Sequence, residues 1–289
     1  MGLKESIKAK RNAARIERLR GGITKDMHGL EIGPSLRPVV PKREGYSVEI
    51  VDHLSREELT AKYAAMGLDT SAIEEVDHIW DGRSYCELTG KQDYYDYIVA
   101  SHVIEHTPDF IAFLKDCSAM LKDGGILSLA VPDKRYTLDH FRTVTTVAEV
   151  IDQYLHRDSL GTVGTLCEYA LHVCRRGGRT AWAKELDALL PKRYENVHDL
   201  AFARRLYHDA TTHPEFHDIH QHIFTPSSFR LLIAELRELE LIDLGISAFH
   251  PTVSSEFVVQ LKKQQPFTPL GDAERRALLR KISRENRIR

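Results

Sequence analysis

The stretch LEIGPSLRPVVPKREGYSVEIVDH, residues 30 to 53, contains two apolar runs that end in turn chemistry. The first stops at Gly33 and the second at Asp52, and both read as buried parallel strands. A phosphate-cradling turn between them would read G-x-G-x-x-G, yet Pro34, Ser35 and Arg37 follow Gly33. Close backbone approach to a pyrophosphate is therefore poorly supported, and no G-x-x-x-x-G-K-[ST] occurs elsewhere in the sequence.

Working outward, EVDHIW (75–80), YDYIVA (95–100) and GILSLAV (125–131) are further short strand-like runs. Helical patterns separate them: SREELTAKYAAMG, with Ser55 as cap and Gly67 as stop, and TPDFIAFLKDCSAMLKDGG, with Thr107 as cap and Gly124-Gly125 closing. Alternating strands and helices predict an α/β fold with a doubly wound, mostly parallel sheet. From 143 to 215 the strand signal disappears, which predicts a helical cap inserted into the core. Later, SSFRLLIAELRELE reads as an amphipathic helix, and LIDLGISAFH and SSEFVVQLKK as strands joined by a turn at His250-Pro251. So close a connection requires antiparallel pairing. The expected organisation is a basic helical segment (1–29), a core (30–142), the cap (143–215), a closing helix and strand pair (216–262) and a basic helical tail (263–289).

Composition narrows the function classes. The chain has 289 residues, 42% of them hydrophobic, and a net charge of −2, so it has no global attraction to nucleic acid or anionic membrane. Its four cysteines form no CxxC pair, and a reducing cytoplasm is the simplest location. No apolar run approaches the ~18–20 residues of a membrane span. Met1-Gly2 with Ser6 fits the loose N-myristoylation pattern, but a basic helix packing on the domain or on a partner subunit, as in a homodimer, is the preferred reading.

Acidic residues recur at expected strand ends, where open α/β sheets bind ligands. LEIGPS, VDH, WDG, YDYIVASHVIEH and LKDGGILSLAVPD, in that order, resemble the motifs of class I S-adenosylmethionine (SAM)-dependent methyltransferases. The run from Ser227 to Lys262 is similar to that family's closing antiparallel pair. The resemblance implies a Rossmann-like sheet with an antiparallel last strand, and SAM as cofactor. It implies that Glu31 and Gly33, with Pro34 and Ser35, shape the turn under the methionine moiety. Asp52, beside His53, would take the ribose hydroxyls, and Asp81, beside Gly82, the adenine amine. Ser101 and His102 would face the sulfonium side, and Glu105 and His106 would begin the next helix. Ser35 and Arg37 depart from the family's usual glycines.

An alcohol acceptor must lose a proton, which calls for a general base or a metal ion. Two segments expected at the sheet's carboxyl edge supply candidates: PDKRYTLDHFR (132–142) and HDIHQHIFTP (217–226). His140 or His220 would take the proton, with Asp133 or Asp139 orienting it. Alternatively His220 and His222, on one side of an extended chain, would coordinate a divalent ion such as Mg²⁺ with Asp133 or Asp139. Arg135, Arg142, His217 and His222 would meet a polar acceptor. LEIGPS, ASHVIEH and VPDKRYTLDHFR look like a bacterial methyltransferase subset associated with glycans and glycosides, which favours a sugar or oligosaccharide hydroxyl. Two rival readings stand beside it. A nucleic-acid methyltransferase would use the basic termini, but no stacking aromatics accompany them and the amino-group methyltransferase tetrapeptide is missing where ASHVIEH stands. The other is a noncatalytic protein that binds SAM or a partner.

Overall fold

The computed structural model describes residues 3–157 and 160–287; the Met1-Gly2 acylation motif lies outside the described residues. The strands are β1 (His28–Ile32), β2 (Ser47–Asp52), β3 (His78–Ile79), β4 (Tyr95–Ser101), β5 (Leu121–Pro132), β6 (Cys174–Arg176), β7 (Tyr194–Asn196), β8 (Leu244–Val253) and β9 (Glu256–Lys263). The helices are α1 (Leu3–Leu19), α2 (Arg56–Ala65), α3 (Tyr85–Thr89), α4 (Phe110–Met120), α5 (Val147–His156), α6 (Val163–His172), α7 (Leu200–Thr212), α8 (Pro226–Glu238) and α9 (Asp272–Glu285). Seven strands form one sheet in the order β3-β2-β1-β4-β5-β9-β8. Only β9 runs against the rest. The order reverses direction between β1 and β4, the switch point beyond whose strand carboxyl ends open α/β sheets hold their ligand crevice.

Strand alternation sends residues of β4 to two cores. Ile98 and Ala100 join Phe110, Leu114, Phe229 and Leu232 beneath α4 and α8. Tyr97 and Val99 join Leu19, Val39, Val40 and Val258 beneath α1. The β1–β2 connection contains no α-helix, only a 3-10 turn at Lys42–Glu44. Pro34, Pro38 and Pro41 lie in this connection and disfavour a helix. The buried Glu31 carboxylate holds the connection instead, accepting from the amides of Val39 (2.6 Å) and Val40 (3.1 Å). The Tyr97 ring lies across Gly29, where an added Cβ would come within 2.1 Å of it.

Several boundaries differ from the sequence reading. Only His78–Ile79 of the expected strand 75–80 pairs with β2. The α4 cap is Asp109, whose side chain accepts from Ala112 N; Thr107 turns back to the Ile104 carbonyl. The His250-Pro251 turn is instead part of β8, and the reversal falls at Ser254-Ser255, with Ser254 at φ +59°. Proline is tolerated there because β8 is an edge strand. The 143–215 stretch is not wholly helical: β6 and β7 form a hairpin tied together by buried Arg176. Arg176 donates to the carbonyls of Pro191, Asp187 and Leu190.

Candidate functional site

Three strand ends build the crevice floor. Gly33 leaves β1 at φ +64°, and a Cβ there would press within 3.1 Å of Val103. Ser35, at φ +45°, donates its amide to Asp52 Oδ2 (2.9 Å) and shares a hydroxyl contact with Tyr63 (3.0 Å). The His53 amide and Nδ1–H both donate to Asp52 Oδ1, at 2.8 and 2.6 Å. A carboxylate can accept about four hydrogen bonds. Asp52 accepts three and is thus held in place by its neighbours. Pro34 precedes Ser35 in the same turn. Asp81 and Gly82 are exposed beyond β3, and the Asp81 carboxylate pairs with Arg83 at 2.7 Å. Sequence reasoning missed Trp80 beside it, whose ring lies 6.3 Å from Tyr85 and 6.2 Å from Phe216. A tryptophan directly before Asp81 was the available signal.

At the end of β4 two networks part. Arg15 of α1 donates to Ser101 Oγ (2.5 Å) and Glu256 Oε1 (2.5 Å), so Ser101 anchors the N-terminal helix. His102, at φ +57°, lies between Glu256 (2.6 Å) and Glu105 (3.2 Å). Desolvation opposes its charge, but the two carboxylates outweigh that and push its pKa up to about 10. Residues 104–106 form a 3-10 turn rather than the start of a helix. This turn brings buried Glu105 and half-exposed His106 against the 217–226 segment, where the amides of Gln221 and His222 both donate to the Glu105 carbonyl.

The two acceptor-side segments do meet, through Asp139 and His220. His220 Nδ1–H donates to Asp139 Oδ2 at 2.6 Å. Arg142 Nη1 donates to Asp139 Oδ1 at 3.0 Å and to the His220 carbonyl at 2.7 Å. Burial would raise the Asp139 pKa, but His220 and Arg142 bring it down to about 2, so it is ionised. Asp139 correspondingly raises the pKa of His220 against burial.

Other residues of the expected set lie elsewhere. Asp133 is fully buried, holding Arg135 and accepting from Thr252 at 2.6 Å. His140 stacks on Tyr194 at 4.8 Å and donates Nδ1–H to the Arg135 carbonyl. Its ring joins Arg135 in lining a basic cavity of about 500 Å³, with Lys134, Tyr136, Lys192 and Tyr194. Arg142 is 1% exposed and committed to Asp139 and Glu168, so it braces the site and does not meet an acceptor. His222 packs 5.4 Å from Phe110, and burial pushes its pKa down to about 4, leaving it neutral. His217 lines a second cavity of about 360 Å³, under α6 and α7. The expected metal set of Asp133, Asp139, His220 and His222 is therefore divided: Asp133 is held by Arg135 and Thr252, and His222 is buried against Phe110. Among the described residues the grouping with metal-ligand spacing is Glu105, His106 and His220. No helix among them is long and apolar enough to cross a membrane.

Comparison with known proteins gives the family. The sequence pattern of a family described as "Methyltransferase domain" matches residues 5–236. No curated protein sequence matches the chain. Similar solved structures include a SAM-dependent methyltransferase from Methanosarcina mazei, at 16% identity, covering 86% of this chain and 97% of that one, TM-score 0.44. Another, from Mesorhizobium loti, shows 14% identity, 86% and 98% coverage and a TM-score of 0.42. The 1,6-didemethyltoxoflavin-N1-methyltransferase of Burkholderia thailandensis, with bound S-adenosylhomocysteine, shows 12% identity, 86% and 76% coverage and a TM-score of 0.43. With the sheet order and the family match on residues 5–236, the chain belongs to the methyltransferase-domain family, and its cofactor is S-adenosylmethionine.

Proposed function

We propose that the enzyme methylates a hydroxyl of a small polar acceptor, with a sugar or glycoside as the favoured class. The observation that carries this reading is the convergence of Glu105, His106 and His220, just after Val103, which packs on Gly33, with His220 oriented by ionised Asp139. SAM supplies a methyl carbon already activated by its sulfonium, so the protein's work is alignment, exclusion of water and handling of the acceptor proton. Asp52 and the Gly33–Ser35 turn hold the donor. The Asp139–His220 pair stands at the acceptor side, where a hydroxyl requires deprotonation.

The test combines SAM calorimetry with methyl release on mixed glycosides. Asp52→Ala should weaken SAM binding by roughly 10-fold or more, the loss of charge-assisted hydrogen bonds. His220→Gln should keep SAM affinity and lose roughly 10²-fold or more in rate. Equal turnover in wild type and His220→Gln would defeat the acceptor-side assignment, and methylation confined to amines or carbon would defeat the hydroxyl class.

A further inference from the structure

Glu105 is 0% exposed, and its Oε2 has no hydrogen-bond partner. Its nearest cationic neighbour, His102 Nδ1, stands 3.2 Å from Oε1, and that ring is already hydrogen-bonded to Glu256 through Nε2. The His102 imidazolium meets Oε1 and leaves Oε2 of this buried carboxylate for a further cation. Two imidazoles face the same space. The rings of His106 and His220 are 4.8 Å apart, edge to face, and one ligand atom from each of Glu105, His106 and His220 falls within 4.8 Å of the others. Modest side-chain rotation would close that span onto metal–ligand distances of about 2.0–2.2 Å.

The support around His220 has the form that metal-binding histidines use. Its Nδ1–H is held by Asp139, which leaves Nε2 as the lone-pair nitrogen, and Asp139 is itself fixed by Arg142. A carboxylate behind an imidazole fixes the tautomer and strengthens the donor. His106 pairs with Asp218, but that residue's side chain is 81% exposed and can turn away into solvent.

We propose that Glu105, His106 and His220 hold one divalent first-row transition-metal ion, which binds the acceptor hydroxyl at an open position. Two imidazoles and one carboxylate suit Mn²⁺, Co²⁺, Fe²⁺ or Zn²⁺; Mg²⁺ and Ca²⁺ prefer oxygen alone. The ion's chemical part rests on the hydroxyl-methylation reading. A hydroxyl on the ion is acidified and gives its proton to solvent water. Its oxygen then forms the bond to the methyl carbon as the carbon–sulfur bond breaks, leaving a methyl ether and neutral S-adenosylhomocysteine. The ion's charge does not change.

The experiment uses the untagged full chain, stripped with a chelator and titrated with Co²⁺ alone, followed by visible absorption and calorimetry. One Co²⁺ per chain with new visible bands is expected, with Mg²⁺ at least tenfold weaker. Glu105→Gln and His106→Ala should each weaken Co²⁺ binding at least tenfold, and His106→Ala should leave thermal unfolding unchanged. His106 is half-exposed, so its truncation keeps the test valid if Glu105→Gln fails to fold. Absence of stoichiometric Co²⁺ binding, or equal binding in His106→Ala, overturns the proposal. Undiminished turnover of the chelated enzyme overturns it too, while leaving methyl transfer standing. The titration needs neither SAM nor acceptor, so its result is separable from the methyl-transfer reading.

Discussion

At the scale of single residues, Glu31 shows how one side chain takes the place of a missing helix. It lies at the core end of the crossover and satisfies two amides that a helix would have paired internally. Burial pushes its pKa up to about 7 from 4.5, against the pull of the Val39 and Val40 amides. A folded pKa above the unfolded one means the native state holds the proton more tightly. Its stabilising contribution is therefore complete below about pH 4.5 and is lost as pH rises through about 7. Urea unfolding at pH 5 and pH 8 should show wild type losing stability relative to Glu31→Gln, by up to roughly 1.4 kcal/mol per pH unit across that window. A pH-independent difference between the two would contradict a perturbed Glu31. The sequence marked this glutamate, Asp52 and Asp139 because each ends or follows a recognisable strand, and His220 because a histidine-rich segment precedes the late helix. It also marked Arg142 and His222 as acceptor contacts, since nothing local distinguishes a buried brace from a pocket wall. Burial is a property of the neighbours, which lie far away in sequence.

At the scale of elements, the strongly periodic pieces were legible and the polar ones were not. The α2 cap at Ser55, with its reciprocal Glu58 bond, follows from local chemistry. The β6–β7 hairpin does not, because CRR and YEN carry no alternation of apolar residues. Its order comes from Arg176, buried against Trp182 and Tyr194. Elsewhere in the insertion, α6 and α7 close on a small cluster of Leu166, Ala210 and Ile219, separate from the main core. Little apolar contact ties this pair down, so it should open more readily than α4, which buries Phe110, Ile111, Phe113 and Leu114. Hydrogen exchange should find the α6–α7 amides exchanging at least tenfold faster than those of α4. S-adenosylhomocysteine should slow them if the insertion closes over the cofactor edge. Equal protection in α4 and α6–α7 would show that the insertion belongs to the same cooperative unit as the core.

At the scale of the whole molecule, α1 is the tie between distant parts. The sequence reading had this basic helix pack on the domain or on a partner subunit; in the fold Arg15 joins Ser101 at the end of β4 to Glu256 at the start of β9. The Leu19 carbonyl accepts from Ser128 in β5. Arg15→Ala leaves largely buried Glu256 with His102 alone, and should destabilise the chain by about 2 kcal/mol or more in urea unfolding, with Arg15→Lys recovering only part. A change within about 0.5 kcal/mol would mark the pair as a surface ornament of the fold. Composition could not reveal this network, because a charge run looks the same whether solvated or clasped. The clasp also has a consequence for biosynthesis. Arg15 and Glu256 are 241 positions apart, so at about 5–20 residues per second the ribosome needs on the order of 12–50 s to supply the partner strand. Throughout that interval Leu19 and Ile23 have no completed surface to lie on. A segment that emerges early and seats late is a natural client for a nascent-chain chaperone, and its docking is the step that completes the fold.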